Sequence, residues 1–210
     1  MKNLSRWIGV SLTALVIGAL ACTSTTFVST WSAPDAKPVR LAGKKVVAVF
    51  LTKTGTVRRR AEDAMVRELS ARGAQGVPSY SVLSEDEAKD PEGAKAKLSS
   101  LGFEGAVVMR VVGRESDVDY MPGGAVWVGP HYHHFWGYWG WGWGTVWEPG
   151  YLRVEKVVKV ETLVYSVTQD ELIWAGVSKT VDPSHVDDLV SDLAKAITDQ
   201  MAKAGLLQKT

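Results

Sequence analysis

The sequence predicts an α/β domain with a mixed sheet, of the α+β type, on the basis of three observations. Short apolar runs typical of strands alternate with amphipathic stretches typical of helices in the first half of the chain. The second half contains a hairpin pattern and one long amphipathic stretch. Hydrophobic residues make up 46% of the 210 residues and charged residues 22%, which is ordinary for a globular protein. The predicted order is therefore β-α-β-α-β, an insertion, and then β-β-α.

Five elements are predicted before the insertion. Apolar runs predict three strands, over residues 44–52, 77–83 and 103–112. Thr56 is the expected N-cap of a helix over residues 57–72, which Gly73 ends. Asp90 is the expected N-cap of a second helix, with Pro91 at its first position. Crossover connections of this kind favour parallel pairing of the strands that they join.

Three elements are predicted after the insertion. A turn at 168–170 joins two antiparallel strands, over residues 152–167 and 171–181. The alternation of the first of these slips near Lys156 and Val157, which indicates a β-bulge. Ser184 and Asp187 form a variant of the capping box before the final helix, which Gly205 closes.

The N-terminus is predicted to be an export signal that ends at a lipidated cysteine. Lys2 and Arg6 precede an uncharged, mostly apolar run that is short for a membrane span, so residues 1–21 fit a secretory signal peptide. Its last residues, Ala19-Leu20-Ala21-Cys22, resemble the lipobox of bacterial lipoproteins, although the first two stand in the reverse of the usual arrangement. The resemblance implies a lipid on Cys22, the only cysteine of the chain. An ordinary signal peptide or an uncleaved anchor is the alternative.

Residues 22–43 are predicted to be a flexible tether between the lipid and a single periplasmic domain over 44–210. Ser, Thr, Pro and Ala dominate this stretch, without a helical or strand period. Phe27 and Trp31 are expected either to dock on the domain or to lie near the membrane interface. Thr23 follows the cysteine, and by analogy with enteric lipoproteins this favours the periplasmic face of the outer membrane, with the inner membrane as the alternative.

Four segments carry a resemblance to a group of known proteins. They are KKVVAVF (44–50), the helix that ends at Gly73, LGFEGAVVMRV (101–111) and LVYSVTQDELIWAG (163–176). Together they resemble periplasmic α/β lipoprotein domains: the lipoprotein activators of penicillin-binding proteins, the curli-secretion lipoprotein, the N-terminal domain of the Tol periplasmic protein, and uncharacterised lipoproteins with a domain of unknown function. The resemblance implies a role in binding partners or in assembly at the envelope. The resembling motifs are strand and turn patterns, so no functional residue is assigned to this chain from the resemblance.

The insertion at about 115–151 is the most unusual part of the sequence. Its core, residues 122–150, is dominated by aromatic residues and glycine, and Trp alternates strictly with Gly over residues 139–144. An extended chain would place these Trp rings on one side. The insertion either covers its own domain, binds a protein or glycan partner, or contacts the membrane. The candidate contact residues are Trp136, Tyr138, Trp139, Trp141 and Trp143. Deletion of 131–147 is expected to leave folding intact.

Other chemistry has weaker support in the sequence. His131, His133 and His134 form a candidate metal site, but the nearest carboxylate in sequence is Glu148. Asp117 and Asp119 are paired carboxylates that a hydrolase acting on the cell wall would use, yet no base or nucleophile accompanies them. No phosphate-binding loop, dinucleotide fingerprint or nucleophile elbow is present. The chain is therefore predicted not to be an enzyme and to need no cofactor.

Charge and composition complete the functional expectation. The formal net charge is +1, and removal of Lys2 and Arg6 with the leader brings it to about −1, so no nucleic-acid partner is expected. The sequence predicts a non-enzymatic envelope lipoprotein that is held to the membrane through Cys22 and binds an envelope protein through its aromatic insertion. Metal binding through the histidines and cell-wall hydrolysis are the alternatives.

Overall fold

The computed structural model describes residues 24–34, 39–113, 130–144, 157–181 and 185–209. The strands are β1 (Ser24–Ser32), β2 (Lys45–Leu51), β3 (Gln75–Pro78), β4 (Gly105–Gly113), β5 (Val157–Ser166) and β6 (Glu171–Val181). The helices are α1 (Gly55–Ala71), α2 (Glu85–Lys89), α3 (Pro91–Ser100), α4 (Pro130–His133), α5 (Phe135–Gly144) and α6 (Val186–Lys203). The predicted mixed α/β class is confirmed.

One six-stranded mixed sheet organises the domain, in the order β1-β6-β5-β4-β2-β3. Strand β2 pairs in parallel with both β3 and β4, as crossover connections favour. Strands β4, β5, β6 and β1 pair antiparallel. The β5–β6 hairpin turns at Asp170, which has a φ of 54°. Asp tolerates this left-handed conformation better than most residues.

The flexible tether predicted for residues 22–43 is wrong over Ser24–Ser32, because these nine residues form the strand β1. Strand β1 lies at the edge of the sheet and pairs with β6, from Ser24 opposite Val181 to Ser32 opposite Trp174. A bulge after Phe27 shifts the register, and the Phe27 ring meets the edge of Trp174 with centroids 5.8 Å apart. Of the two expectations for Phe27, docking on the domain is therefore the one that the structure shows.

Several boundaries in the first half differ from the prediction. The second strand is only four residues long, and a 3-10 turn over Ser79–Ser81 follows it. Thr54 rather than Thr56 is the N-cap residue of α1, and its side chain makes no capping bond. Helix α2 is an element that the sequence analysis missed. The sequence does contain a local signal for α2, because Ser84 and Glu87 have the spacing of a capping box and form a complete one in the structure. Asp90 caps α3, with Pro91 in its first turn, as predicted.

The second half matches its prediction more closely. The register shifts of β5 with its partners lie between Val111 and Gly113 and between Val164 and Tyr165. The bulge predicted near Lys156 and Val157 falls where the described part of β5 begins, because Lys156 lies outside the described residues. The final helix begins after His185 instead of at a Ser184 cap. Ser184 itself lies outside the described residues, as do Cys22 and the leader. Within the described ranges, no helix combines the length and apolar character that crossing a membrane requires.

The sheet has a separate hydrophobic core on each face. Helices α1 and α6 cover one face, over alternate strand residues such as Ala48, Val107 and Val164. The other face presents residues such as Val49, Val108 and Leu163. Helices α2 and α3 cover part of it, and α5, the middle of the predicted insertion, covers the rest. The described part of the aromatic insertion, residues 130–144, is therefore a structural layer of the domain, in line with the first of its three interpretations.

Candidate functional site

The Trp-Gly repeat is helical, so the extended conformation predicted for it is wrong. Residues Phe135–Gly144 form α5. Each glycine in a helix interior costs about 1 kcal/mol relative to alanine, so the local propensity of this segment for a helix is low. The compensation is tertiary: a buried aromatic side chain removes 150–250 Å² from water, and α5 buries several against the sheet. A helix also distributes the aromatics over two faces instead of one.

The inner row of α5 belongs to the core. Phe135 and Tyr138 are fully buried, Trp139 is 1% exposed, and the Trp139 indole N–H donates to the Ala88 carbonyl at 3.0 Å. Tyr138 and Trp139, which were candidate contact residues, are thus not available at the surface. Deletion of 131–147 would remove this layer, so the expectation that the deletion leaves folding intact is wrong.

Glycine lets the helix approach the sheet closely. A Cβ added to Gly142 would lie 2.7 Å from the Cδ1 atom of Leu51, closer than real contacts allow. A Cβ at Gly137, on the exposed side of the helix, would meet nothing nearer than 3.8 Å. The glycines of α5 therefore have different roles: Gly142 is needed for close packing against the sheet, and Gly137 is not.

Three tryptophans of α5, Trp136, Trp141 and Trp143, are partly exposed, and we call them together the outer row. At about 100° per residue, Trp136 and Trp143 lie on one flank of the buried face and Trp141 lies on the other. A cation lies over each ring: Lys95 at 5.8 Å from the Trp136 centroid, Arg110 at 4.5 Å from Trp141, and Arg58 at 5.1 Å from Trp143. Such contacts contribute roughly 0.5–2 kcal/mol each and restrict the orientation of the ring. The outer row is therefore a set of pre-oriented aromatic surfaces.

Arg110 belongs to a buried polar cluster beneath α5. Its guanidinium donates to the Glu161 carboxylate at 3.1 Å, and Glu161 is 2% exposed. The Tyr138 hydroxyl donates to the same carboxylate oxygen at 2.7 Å. Burial, and then the charge of Glu161, raise the pKa of Tyr132 to about 12 and hold that of Tyr138 well above its ordinary value. Both phenols are therefore neutral donors at neutral pH, which fixes α4 and α5 to the sheet.

Arg58 belongs to a second buried cluster, at the start of α1. Its partner Glu62 is fully buried and accepts from the Arg58 Nε at 3.0 Å, the Ser79 hydroxyl at 2.7 Å, and the backbone N–H groups of Phe50 and Tyr80 at 3.0 Å each. This carboxylate joins β2, α1 and the 3-10 turn. Arg58 opens the basic run 58–60, and it is buried although Arg59 and Arg60 are exposed.

The three histidines do not converge on one point. The His131 ring stacks on Trp141, with centroids 4.4 Å apart, whereas the His134 Nδ1 lies 3.2 Å from the Asp170 carbonyl oxygen. His133 is exposed on α4. Among the described residues, no three His, Cys, Asp or Glu side chains are grouped so that they could hold a metal ion. The hydrolase candidates Asp117 and Asp119 lie outside the described residues.

The polar clusters were the part of the site that the sequence analysis missed. Glu161 and Arg110 each interrupt an apolar strand and face the same side of the sheet as the core residues Leu163 and Val108. A charge at an inward position of a buried strand is uncommon unless it is paired. That pattern was a usable signal for a buried ion pair, although it did not indicate that an aromatic helix would cover the pair.

The comparisons with known proteins find likeness only among solved structures. No protein-family model and no curated protein matches the sequence. A variant of the PelC dodecamer from Paraburkholderia phytofirmans is similar at 14% identity with a TM-score of 0.46, over 84% of this chain and 96% of that chain. A second PelC dodecamer structure from the same organism gives 14% identity and 0.45, over 83% and 96%. Likeness at this level bears neither on what this chain does nor on how it assembles.

Proposed function

We propose that the chain is a non-enzymatic envelope lipoprotein that binds a protein partner through the outer row of α5. In this proposal a lipid on Cys22 holds it to the membrane, at the periplasmic face of the outer membrane. The partner contacts Trp136, Trp141 and Trp143. The resemblance to envelope lipoprotein domains points in the same direction.

One observation carries the binding proposal: α5 exposes aromatic surface beyond its buried inner row. Phe135, Tyr138 and Trp139 are buried against the sheet, whereas the three outer tryptophans pack against the same core only in part. The outer tryptophans remain partly exposed, and exposed aromatic clusters are enriched at protein interfaces, where they supply most of the binding energy.

Pre-orientation makes the outer row suitable for binding. Arg110 and Arg58 are themselves held by buried carboxylates, and they fix the rings of Trp141 and Trp143 from below. Rings that are fixed before binding lose little conformational entropy on association, and this saving amounts to about 0.5–1.5 kcal/mol for each immobilised side chain. The alternatives have less support, because the histidines face different neighbours and the buried carboxylates are already engaged in ion pairs.

The experiment is photo-crosslinking in the cell envelope. A photoreactive phenylalanine analogue replaces Trp136 in one variant and Arg67 in a control variant. Arg67 is exposed on α1, which covers the opposite face of the sheet. We expect a discrete protein adduct from position 136 and none of the same mass from position 67. Identical adducts from both positions, or none from position 136, would contradict the proposal.

A further inference from the structure

The start of α5 has none of the residues that usually cap a helix. The regular ladder begins with the Tyr138 N–H, which donates to the His134 carbonyl at 3.0 Å, so the N–H groups of the first turn precede the ladder. His134 stands directly before the helix, where Ser, Thr, Asp or Asn is usual. The first turn also contains no acidic residue. The segment itself therefore supplies no strong capping side chain.

Asp170, in the β5–β6 turn, supplies a capping acceptor instead. Its Oδ1 atom accepts a hydrogen bond from the backbone N–H of Trp136 at 3.2 Å, although the two residues are 34 positions apart in the chain. Trp136 is the second residue of α5, and a capping side chain accepts from the second or third N–H of a helix. A carboxylate at this place also interacts favourably with the helix dipole. Asp170 therefore acts on α5 from the sheet as an N-cap residue acts from within a helix.

A second contact joins Asp170 to the residue before the helix. The His134 Nδ1 lies 3.2 Å from the Asp170 carbonyl oxygen and 3.6 Å from its Oδ2 atom. One residue of the turn thus contacts the start of α5 through both its backbone and its carboxylate. The two contacts fix the place where the helix begins.

The backbone conformation of Asp170 separates a role in the turn from a role in capping. Its φ of 54° lies in the left-handed region, which glycine adopts most easily and which Asp and Asn tolerate. The turn is held by the Ser166 hydroxyl, which accepts from the Gln169 N–H at 3.3 Å. For the turn alone, glycine would be as good a residue as aspartate or a better one. Only aspartate or asparagine combines this conformation with a side-chain acceptor.

Asp170 and Glu161 together hold α5 at two places on the hairpin. The Tyr138 hydroxyl donates to Glu161 at 2.7 Å, two residues after the N–H that Asp170 caps. Two points of attachment set both the start of the helix and its rotation about its axis. Trp136 lies in the capped turn, whereas Trp143 lies about two turns later. Loss of the cap therefore loosens Trp136 and leaves Trp143 in place.

We propose that Asp170 is a positioning residue for the outer row: its carboxylate caps α5 from the β5–β6 turn and thereby holds Trp136 in the orientation that binds the partner. This inference rests on the proposed binding through the outer row, and it requires no contact between Asp170 and the partner. Four of the ten residues of α5 are glycine, so the helix has little intrinsic propensity and depends on its cap.

The cap is tested by hydrogen exchange of the full chain, measured by mass spectrometry with fragmentation to single residues. Asp170→Gly keeps the left-handed conformation and removes the acceptor, whereas Asp170→Asn keeps both. Gln169→Gly is the matched control, because it introduces glycine at the neighbouring position of the same turn. We expect Asp170→Gly to speed the exchange of the Trp136–Tyr138 amides about fivefold, the usual effect of removing a capping acceptor. The amides of Trp141–Trp143 should be unchanged, and the other two variants should behave as wild type.

Two results would overturn the cap. Unchanged or slower exchange of the Trp136–Tyr138 amides in Asp170→Gly is the result for a residue that serves only the turn. Exchange that is as fast in Asp170→Asn as in Asp170→Gly would show that the acceptor is not what matters.

The positioning role is tested by photo-crosslinking from position 136 in the same three backgrounds. We expect the adduct yield to fall several-fold with Asp170→Gly and to be retained with Asp170→Asn and Gln169→Gly. An undiminished yield with Asp170→Gly, or an equal fall with Gln169→Gly, would contradict the positioning role. If the chain with native Asp170 gives no adduct, the proposed partner binding fails, whereas hydrogen exchange still decides whether Asp170 caps the helix.

Discussion

Replacement of Trp139 or Trp136 by alanine separates the inner and outer rows of α5. Both are tryptophans in the same helix, three residues apart, so the chemical change is identical. Trp139 is 1% exposed and packs against Phe135 with ring centroids 5.5 Å apart. Trp136 is partly exposed, and its ring contacts Phe135, with centroids 4.6 Å apart, and Trp139, with centroids 6.2 Å apart. If α5 is a helical layer of the core, the two substitutions must lower the free energy of unfolding by very different amounts.

The magnitudes follow from burial and from one hydrogen bond. Truncation of a buried tryptophan to alanine costs about 3–5 kcal/mol. Loss of the bond from the Trp139 indole to the Ala88 carbonyl, at 3.0 Å, adds about 1 kcal/mol. We therefore expect Trp139→Ala to lower the free energy of unfolding by about 5 kcal/mol, a large part of the 5–15 kcal/mol typical of a domain. For Trp136→Ala we expect about 1 kcal/mol.

The assay is urea unfolding of the soluble chain that begins at Thr23, followed by circular dichroism. With a slope of about 2 kcal/mol per molar urea, the midpoint should fall by about 2.5 M for Trp139→Ala and by about 0.5 M for Trp136→Ala. Equal shifts for the two variants would refute the division into rows. A shift below about 0.5 M for Trp139→Ala would show that α5 is not part of the core.

Three further predictions concern the packing and the charges. Gly137→Ala should stabilise the chain by about 0.5–1 kcal/mol in a thermal scan, whereas Gly142→Ala should destabilise it by about 1–3 kcal/mol. A change of the same sign for both variants would contradict the helical conformation of α5 and its close approach to the sheet. Glu62→Ala should cost about 3–5 kcal/mol in urea, because it leaves the buried Arg58 without its carboxylate, and a cost below about 1 kcal/mol would indicate a solvated pair. The hydrogen bond from Lys97, and then those from Ser84, lower the pKa of Glu87 from 4.5 to about 2. Its contribution to stability should be complete above pH 4.5 and disappear as the pH falls towards 2, so the difference between wild type and Glu87→Gln should vanish there; a pH-independent difference would refute this.

The elements with strong periodicity could be predicted from the sequence. Helix α6 and the β5–β6 hairpin have apolar positions at regular spacing and clear turn residues, and local patterns of this kind survive in the fold. The edge strand β1 could not be predicted from the sequence, because its many Ser and Thr residues are also typical of a flexible linker. An edge strand tolerates such residues because one of its sides faces solvent. Only Phe27 and Trp31 indicated that the stretch packs on the domain.

The candidate site was predicted in position but not in conformation. The aromatic insertion stood out in the sequence, but its strict Trp-Gly alternation was interpreted as an extended chain. The burial of Phe135 and Tyr138 against the sheet outweighs the low helix propensity of the glycines. The division of the aromatic residues into a buried and an exposed set depends on helical geometry, so it could not be derived while the segment was taken to be an extended chain. The support of Trp141 by Arg110 and Glu161 joins β4, β5 and α5, and such contacts between distant segments leave no local pattern in the sequence.

Hydroxyl-radical footprinting of tryptophans tests the central claim, that a protein partner covers the outer row of α5. The oxidation of each tryptophan is measured by mass spectrometry in intact cells and in the purified lipidated protein bound to vesicles. Trp139 should be protected in both samples. Trp136, which is partly exposed, should be reactive in the purified protein and protected in cells. Equal oxidation of Trp136 in both samples would contradict the account, because no partner would then cover the surface that is proposed to bind one.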